Sequence, residues 1–182
     1  MRNVLRRAVK VPPEVTARAG LARGDAVLAG AEADDGTWLL GTRDALVLVP
    51  AHPTSQDVRT IAWERVETAD WDRDTSRLRV SEVGDFGRER PVHLLTVPEP
   101  GSLLPMVRER VTASVLLQRR VLITGRRGLT VLARRPPRGL GDITWAYDLD
   151  PGIDPSDPLV TQAAEEGLRV AQEELGSAEQ ST

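Results

Sequence analysis

Hydrophobic and polar positions change period several times along this chain of 182 residues. Early on, the short apolar runs Ala26-Val-Leu-Ala-Gly30, Thr37-Trp-Leu-Leu40 and Ala45-Leu-Val-Leu-Val49 are separated by Asp34-Asp-Gly36 and Arg43-Asp44. Apolar runs of this length bounded by turn residues predict three antiparallel strands in a meander. After a Pro- and Ser-containing loop over 50–57, the alternation of residues 60–71 predicts one long strand, bulged near Val66 where the phase slips. A turn at 72–76 leads into two more strands at 77–83 and 92–97, which brings the count to six.

Helical periods frame this β region. Pro12-Pro13 and Glu14 suit a helix start and Gly20 a left-handed stop, which predicts a short lead-in helix over one edge of the sheet. Further on, Pro98-Glu-Pro-Gly breaks the sheet, Ser102 suits an N-cap, and Pro105 falls in the first turn, where its missing N–H costs nothing. Leu104, Val107, Val111 and Val115, joined by Leu103 and Leu117, then recur at spacings of three and four, so a helix over 102–118 is expected to present one apolar face. Three strands at 121–124, 128–133 and 143–149 should follow. A linker over 151–158, a helix over 158–175 with Leu159, Ala163, Leu168, Ala171 and Leu175 apolar, and a disordered end over 176–182 complete the expectation.

The implied division is a lead-in over 1–24, a sheet domain over 25–120, a β extension over 121–150, and a linker, acidic helix and tail over 151–182. The fold class is α+β, mainly β: a bent antiparallel sheet or barrel closed by an amphipathic helix, with a three-stranded extension and a C-terminal helix. A composition of 40% hydrophobic and 28% charged residues is that of a chain with a packed core.

The absence of cysteine excludes disulfides, thiolate-held iron–sulfur clusters, thiol nucleophiles and Cys-ligated zinc. The first ten residues lack the apolar run of a secretion signal, and no run approaches the ~20 residues of a membrane span. A cytoplasmic chain without a transmembrane segment is therefore expected.

Charge is strongly segregated. Residues 1–24 sum to about +5, 25–107 to about −7, 108–138 to about +8 and 139–182 to about −9, with Lys10 the single lysine. Arg119, Arg120, Arg126, Arg127, Arg134, Arg135 and Arg138 stand at expected element ends and turns, and are the candidate residues for binding an anion or a partner. Nucleic acid, an anionic membrane surface and the chain's own acidic C-terminal segment are the partners such charges suit. Only Trp145 and Tyr147 lie near enough in sequence to stack bases, which argues against single-strand binding.

Signals for chemistry fail one by one. His52 and His93 sit in no nucleophile motif and read as surface or structural residues. Asp70, Asp72 and Asp74 open like a calcium loop, but Thr75 stands where the turn needs Gly and Ser81 where the bidentate Glu belongs. Gly139-Leu-Gly141 has Thr144 in place of a third Gly and precedes a strand, and the lone Lys10 rules out a phosphate loop of the G-x-x-x-x-G-K type. Trp38, Trp63 and Trp71 read as packing residues. No catalytic residue, cofactor or metal site is assigned.

Two stretches carry a resemblance. Asp35-Gly-Thr-Trp-Leu-Leu-Gly-Thr-Arg-Asp-Ala-Leu46, and Ile61-Ala-Trp-Glu-Arg-Val-Glu67 followed by Asp70-Trp-Asp72, resemble strands of bacterial pleckstrin-homology-like domains, over about residues 26–118. The resemblance implies a bent sheet whose open end is covered by a C-terminal amphipathic helix. Members that bind phosphoinositides use a basic first hairpin loop, whereas the turn here carries Asp34 and Asp35, which opposes that activity on charge. The expected function is a non-catalytic binding or scaffolding module acting through protein–protein contact, self-association included. The alternatives are an anion binder using residues 108–138 and, third, an enzyme of unknown class.

Overall fold

The computed structural model describes residues 10–52, 58–139 and 141–179, so expectations for the first nine residues, for Thr54, Ser55 and the rest of 53–57, and for 180–182 lie outside the described residues. It is a mixed α+β fold, mainly β, with three antiparallel sheets and three α-helices. Two compact units divide it. The first runs to Glu82 and resumes over Pro91–Thr112, and the second takes Val83–Arg90 and the chain from Ala113 onward.

In the first unit, β1 (Ala29–Glu32), β2 (Trp38–Gly41), β3 (Ala45–Val49) and β4 (Arg59–Ala62) form one sheet in sequence order. The expected meander is present. β2 and β3 are buried on both sides, which is why they read as continuous apolar runs, whereas β4 exposes Arg59 and Thr60. One face places Leu39, Leu46, Leu48 and Ile61 in the main core. The other packs Trp38, Leu40, Val47 and Val49 against Val15 and Ala19, on and just after the short helix α1 (Pro13–Arg18). The lead-in helix thus covers a sheet face, not an edge.

The long strand expected over 60–71 is instead two strands. A 3-10 turn, Trp63–Arg65, separates β4 from β5 (Val66–Asp72), and β5 joins a second sheet with β6 (Arg77–Glu82) and β7 (Val92–Thr96). Trp63 causes the break. Its indole is fully buried in the core and its N–H donates to the carbonyl of Thr42 at 3.2 Å, so the chain turns around the ring. A register shift between Val66 and Thr68 adds the expected bulge just beyond.

Helix α2 (Leu103–Ala113) buries Leu103, Leu104 and Val107 against this core, with Val111 partly buried at its margin. Gly41 lets it approach, because a Cβ there would lie 2.9 Å from Met106 Sδ and 3.3 Å from Leu103 Cδ1. The helix ends five residues earlier than its apolar spacing predicts. From Val115 the burial alternates strictly for ten residues, the mark of a strand. Val115 and Leu117 therefore belong to β8 (Val115–Thr124) and not to the helix.

In the second unit, β8 pairs with β9 (Arg127–Arg134), and β9 with β10 (Thr144–Leu149), giving the expected three-stranded sheet with its first two strands longer than expected. Helix α3 (Pro158–Glu179) lies on it, and runs through four residues expected to be disordered. Asp157 caps the helix by accepting from the backbone N–H of Leu159 at 2.8 Å. Its seam starts one residue later than the expected stripe and rejoins it at Ala171, with Leu168 packed at its margin. Val160, Ala164, Gly167 and Ala171 are buried, while Leu159 is exposed. Small residues win this face because the helix sits close: a Cβ on Gly167 would lie 2.7 Å from Val121 Cγ2. Among the described residues, no helix is long and apolar enough to cross a membrane.

Candidate functional site at the mouth between two sheets

Strand alternation alone points to one end of the first unit. The core-facing stripe of β6 is Leu78, Val80 and Glu82; cross-strand pairing puts Leu95 beside Leu78 and His93 beside Val80; and on β4 the stripe is Ile61 and Arg59, with Arg59 opposite Leu48. Each stripe passes from apolar to ionisable in the same direction. Arg59, Glu82 and His93 therefore meet where the main core ends.

Their geometry is well fixed. Arg59 donates from Nε (3.1 Å) and Nη2 (2.9 Å) to Glu82 Oε1, and from Nη2 to Oε2 at 2.8 Å, a fork that holds the carboxylate in plane. His93 Nε2 stands 2.7 Å from Glu82 Oε1. The Glu82 side chain is only 6% exposed, against 54% for Arg59 and 26% for His93. Burial acts to raise the Glu82 carboxyl, but hydrogen bonds from Arg59 and His93, with their charges, outweigh it and hold the group below the usual carboxylate range.

These groups line a concave mouth of about 640 Å³ with Asp35, Thr37, Leu48, Pro50, Pro91, Leu94 and Leu95. The β1–β2 turn supplies the opposite wall. Gly36 donates its N–H to Ala33 O at 2.9 Å, and Asp35 Oδ1 accepts the Thr37 N–H at 2.9 Å, which fixes the acidic turn. A bond from Asp34 N–H to Thr96 O at 2.9 Å ties that turn to the end of β7. The helix α2 lies at the other end: it packs on Gly41, four residues or ~13 Å along the chain from Thr37.

The arginines chosen from sequence fall elsewhere, in the second unit. Arg126 and Arg127 are exposed at the tip of the β8–β9 hairpin, where the Arg127 guanidinium lies against Gly152. Arg120, alongside, grips Asp150 with both terminal nitrogens and also donates to Arg126 O at 3.1 Å. Asp150 in turn accepts the Gly128 N–H at 2.9 Å. Arg120 first, then this N–H, hold the Asp150 carboxyl below its usual range. Arg119 faces α3 and pairs with Glu174 at 3.1 Å.

Arg134 and Arg135 stand at the far end of β9, eight residues or ~26 Å from the tip, and Arg138 follows in an exposed position. Arg134 is 4% exposed and donates to Ser114 Oγ at 3.3 Å. The seven arginines are thus not gathered on one surface: Arg126 and Arg127 stand at one end of β9, Arg134, Arg135 and Arg138 at and beyond the other, and Arg119 and Arg120 lie between them on β8, opposite Val131 and Thr130, each bound by an acidic residue of the C-terminal segment.

Glu82, Arg59 and Asp35 are absent from the sequence-based candidates, and His93 appears there only as a structural residue. The usable signal was the alternation itself: extending Leu78-x-Val80 by two positions puts Glu82 on the core side. The three tryptophans pack as expected. Trp38 and Trp63 are buried, and Trp71, partly buried against the main core, donates its indole N–H to Val97 O at 3.1 Å. Among the described residues no group of three or more His, Asp or Glu side chains is arranged to hold a metal ion. Comparison with family models, with curated proteins and with solved structures finds no match to this chain.

Proposed function

We propose that the chain is a non-catalytic binding module of the pleckstrin-homology-like type, acting through protein–protein contact at the mouth between its first two sheets. Support for the type comes from seven antiparallel strands that bend at the Trp63–Arg65 turn and end in an amphipathic helix packed on their core. The observation that carries the binding reading is the mouth. It joins exposed apolar surface at Leu94 and Pro91 to polar groups already fixed by one another, the composition of a recognition site. Self-association is one form this contact takes, and a chain without cysteine suits the reducing cytoplasm.

Panning a random peptide library on the purified chain tests it. A consensus sequence is expected whose binding is lost in Leu94→Asp, an exposed substitution that leaves the fold intact by circular dichroism. No consensus, together with a strictly monomeric mass at high concentration, overturns the reading.

The 2.7 Å pairing of Glu82 with His93 favours a second reading, in which the oriented imidazole acts as a general base. Turnover of any ester, amide or phosphoester that disappears in His93→Ala is its test; a panel turned over equally by that variant removes it.

A further inference from the structure

Backbone groups at the mouth point to how a partner sits there. β7 ends its sheet, and its ladder with β6 is bounded by bonds from Glu82 N–H to Pro91 O at 2.9 Å and from Val97 N–H to Ser76 O at 2.7 Å. Bonded and unbonded positions alternate along an antiparallel pair, so His93 and Leu95 also turn their backbone groups to β6. Val92, Leu94 and Thr96 turn theirs outward. The Thr96 carbonyl agrees with this, since it accepts the Asp34 N–H at 2.9 Å from outside the sheet. Beyond that bond the β1–β2 turn folds back at Gly36, and among the described residues nothing bonds to the outward groups of Val92 or Leu94.

The other sheet edges are blunted. An exposed edge pairs with extended chain unless charge, Pro or a bulge prevents it. Among the described residues the edge strands besides β7 are β1, β4, β5, β8 and β10. Glu32 stands on β1, Arg59 on β4 and Asp148 on β10. β5 carries Glu67, Asp70, Asp72 and a register shift, and β8 carries Arg119, Arg120 and two shifts. β7, Val92-His-Leu-Leu-Thr96, has no carboxylate, no guanidinium and no shift. Its outer face is apolar and open, with Val92 38% and Leu94 60% exposed.

We propose that an extended, uncharged apolar segment of the protein partner adds to β7 as a further strand, bonding to the backbone of Val92 and Leu94. This rests on the binding reading above and states its mode. Residues of the segment that bond to β7 stand beside Val92 and Leu94, and the residue between them, opposite His93, turns to the other face. The mouth, lined there by Leu48 and Leu95, receives it. Both faces of the segment meet apolar surface, so a run of β-branched residues fits, whereas a helix would leave the edge groups unpaired.

The probe is the peptide acetyl-Thr-Val-Ile-Val-Thr-amide, with variants N-methylated at each residue in turn, which removes one N–H and keeps every side chain. Amide hydrogen exchange of the full chain is followed by NMR. At about 1 mM peptide the Val92 and Leu94 amides should exchange at least about tenfold more slowly, while those of His93 and Leu95, already turned to β6, should change little. N-methylation at alternate residues should weaken binding about tenfold, the loss of one backbone bond, and at the intervening residues should leave it nearly unchanged. Equal effects of N-methylation at every position, protection of His93 without Leu94, or no protection at all overturns the proposal. So does Leu94 protection that grows with protein concentration in the absence of peptide, because a second copy then occupies the edge. A panned consensus alongside any of these failures leaves the binding reading standing with its mode wrong; panning that yields no consensus, with a strictly monomeric mass, removes that reading itself.

Discussion

Gly167 and Gly176 lie on the same helix and should respond to alanine with opposite signs. Replacing a helical glycine by alanine gains up to about 1 kcal/mol from backbone entropy alone. At Gly176 a new Cβ meets nothing within 4 Å, so that gain stands, reduced to about 0.5 kcal/mol because the helix ends at Glu179. At Gly167 the Cβ would lie 2.7 Å from Val121 Cγ2 and 3.2 Å from Val131 Cγ2. Ordinary carbon contacts are ~3.5–4.0 Å, so the helix must lift or the valine must turn. Neither is easy, since Val121 is β-branched and held in β8, and overpacking of this kind costs about 1–3 kcal/mol. The net for Gly167→Ala is a loss of about 1 kcal/mol, or 2–4 °C in Tm for a chain of this size. Thermal unfolding followed by circular dichroism at 222 nm reads both variants. If Gly167→Ala stabilises as much as Gly176→Ala, the helix does not rest on the sheet through residue 167 and the small-residue seam is wrong.

Three other outcomes follow from the packing and the ion pairs. Val107→Asp puts a charge among buried Leu103, Leu104 and the main core and should cost about 4 kcal/mol or more, whereas Arg108→Ala, on the exposed side, should stay within about 0.5 kcal/mol; urea titrations compare them. Glu82→Gln should cost about 1–3 kcal/mol at pH 7 by removing charge-assisted bonds from Arg59 and His93. Because the folded carboxyl titrates below the unfolded one, that difference is complete above about pH 5 and shrinks as pH falls through ~4.3 and lower; a gap that widens on acidification contradicts the assignment. For the arginines, the double change Asp150→Asn and Glu174→Gln should lengthen retention on heparin at low salt by releasing Arg120 and Arg119, and unchanged retention would mean that the acidic segment masks nothing.

The elements that were legible in the sequence are those whose local pattern and tertiary setting agree. The β1–β3 meander, the turn at Asp34-Asp35-Gly36 and the start of α3 at Pro158 all rest on turn and cap residues that act within a few positions, so tertiary packing had little to change. Where packing decides, the sequence misleads. Val111, Val115 and Leu117 continue a helical spacing, yet from Val115 the same residues alternate equally well, and pairing with β9 selects the strand. The seam of α3 is the reverse case. Leu159 and Ala163 look like the apolar face, but close approach to Val121 and Val131 demands a residue without a side chain, so the helix turns Gly167 inward.

The mouth was hidden for a different reason. Its members are separated by 24, 23 and 11 positions, from Asp35 to Arg59, Glu82 and His93, and no spacing rule links residues that meet only because three strands end together. What each strand did reveal was its face. Glu82 continues the buried stripe of β6, and an acidic residue on a core-facing position must find a cation or lie at the end of the core. Both hold here. By contrast the arginine pairs are dense along the chain, and density along a strand does not give proximity: Arg126–Arg127 and Arg134–Arg135 bracket β9, and the adjacent Arg119 and Arg120 of β8 point to opposite faces, one to Glu174 and the other to Asp150. A buried stripe that turns ionisable at its end is therefore a better sequence guide to a site in a β protein than a run of like charges, because the stripe specifies the face on which the group must be satisfied.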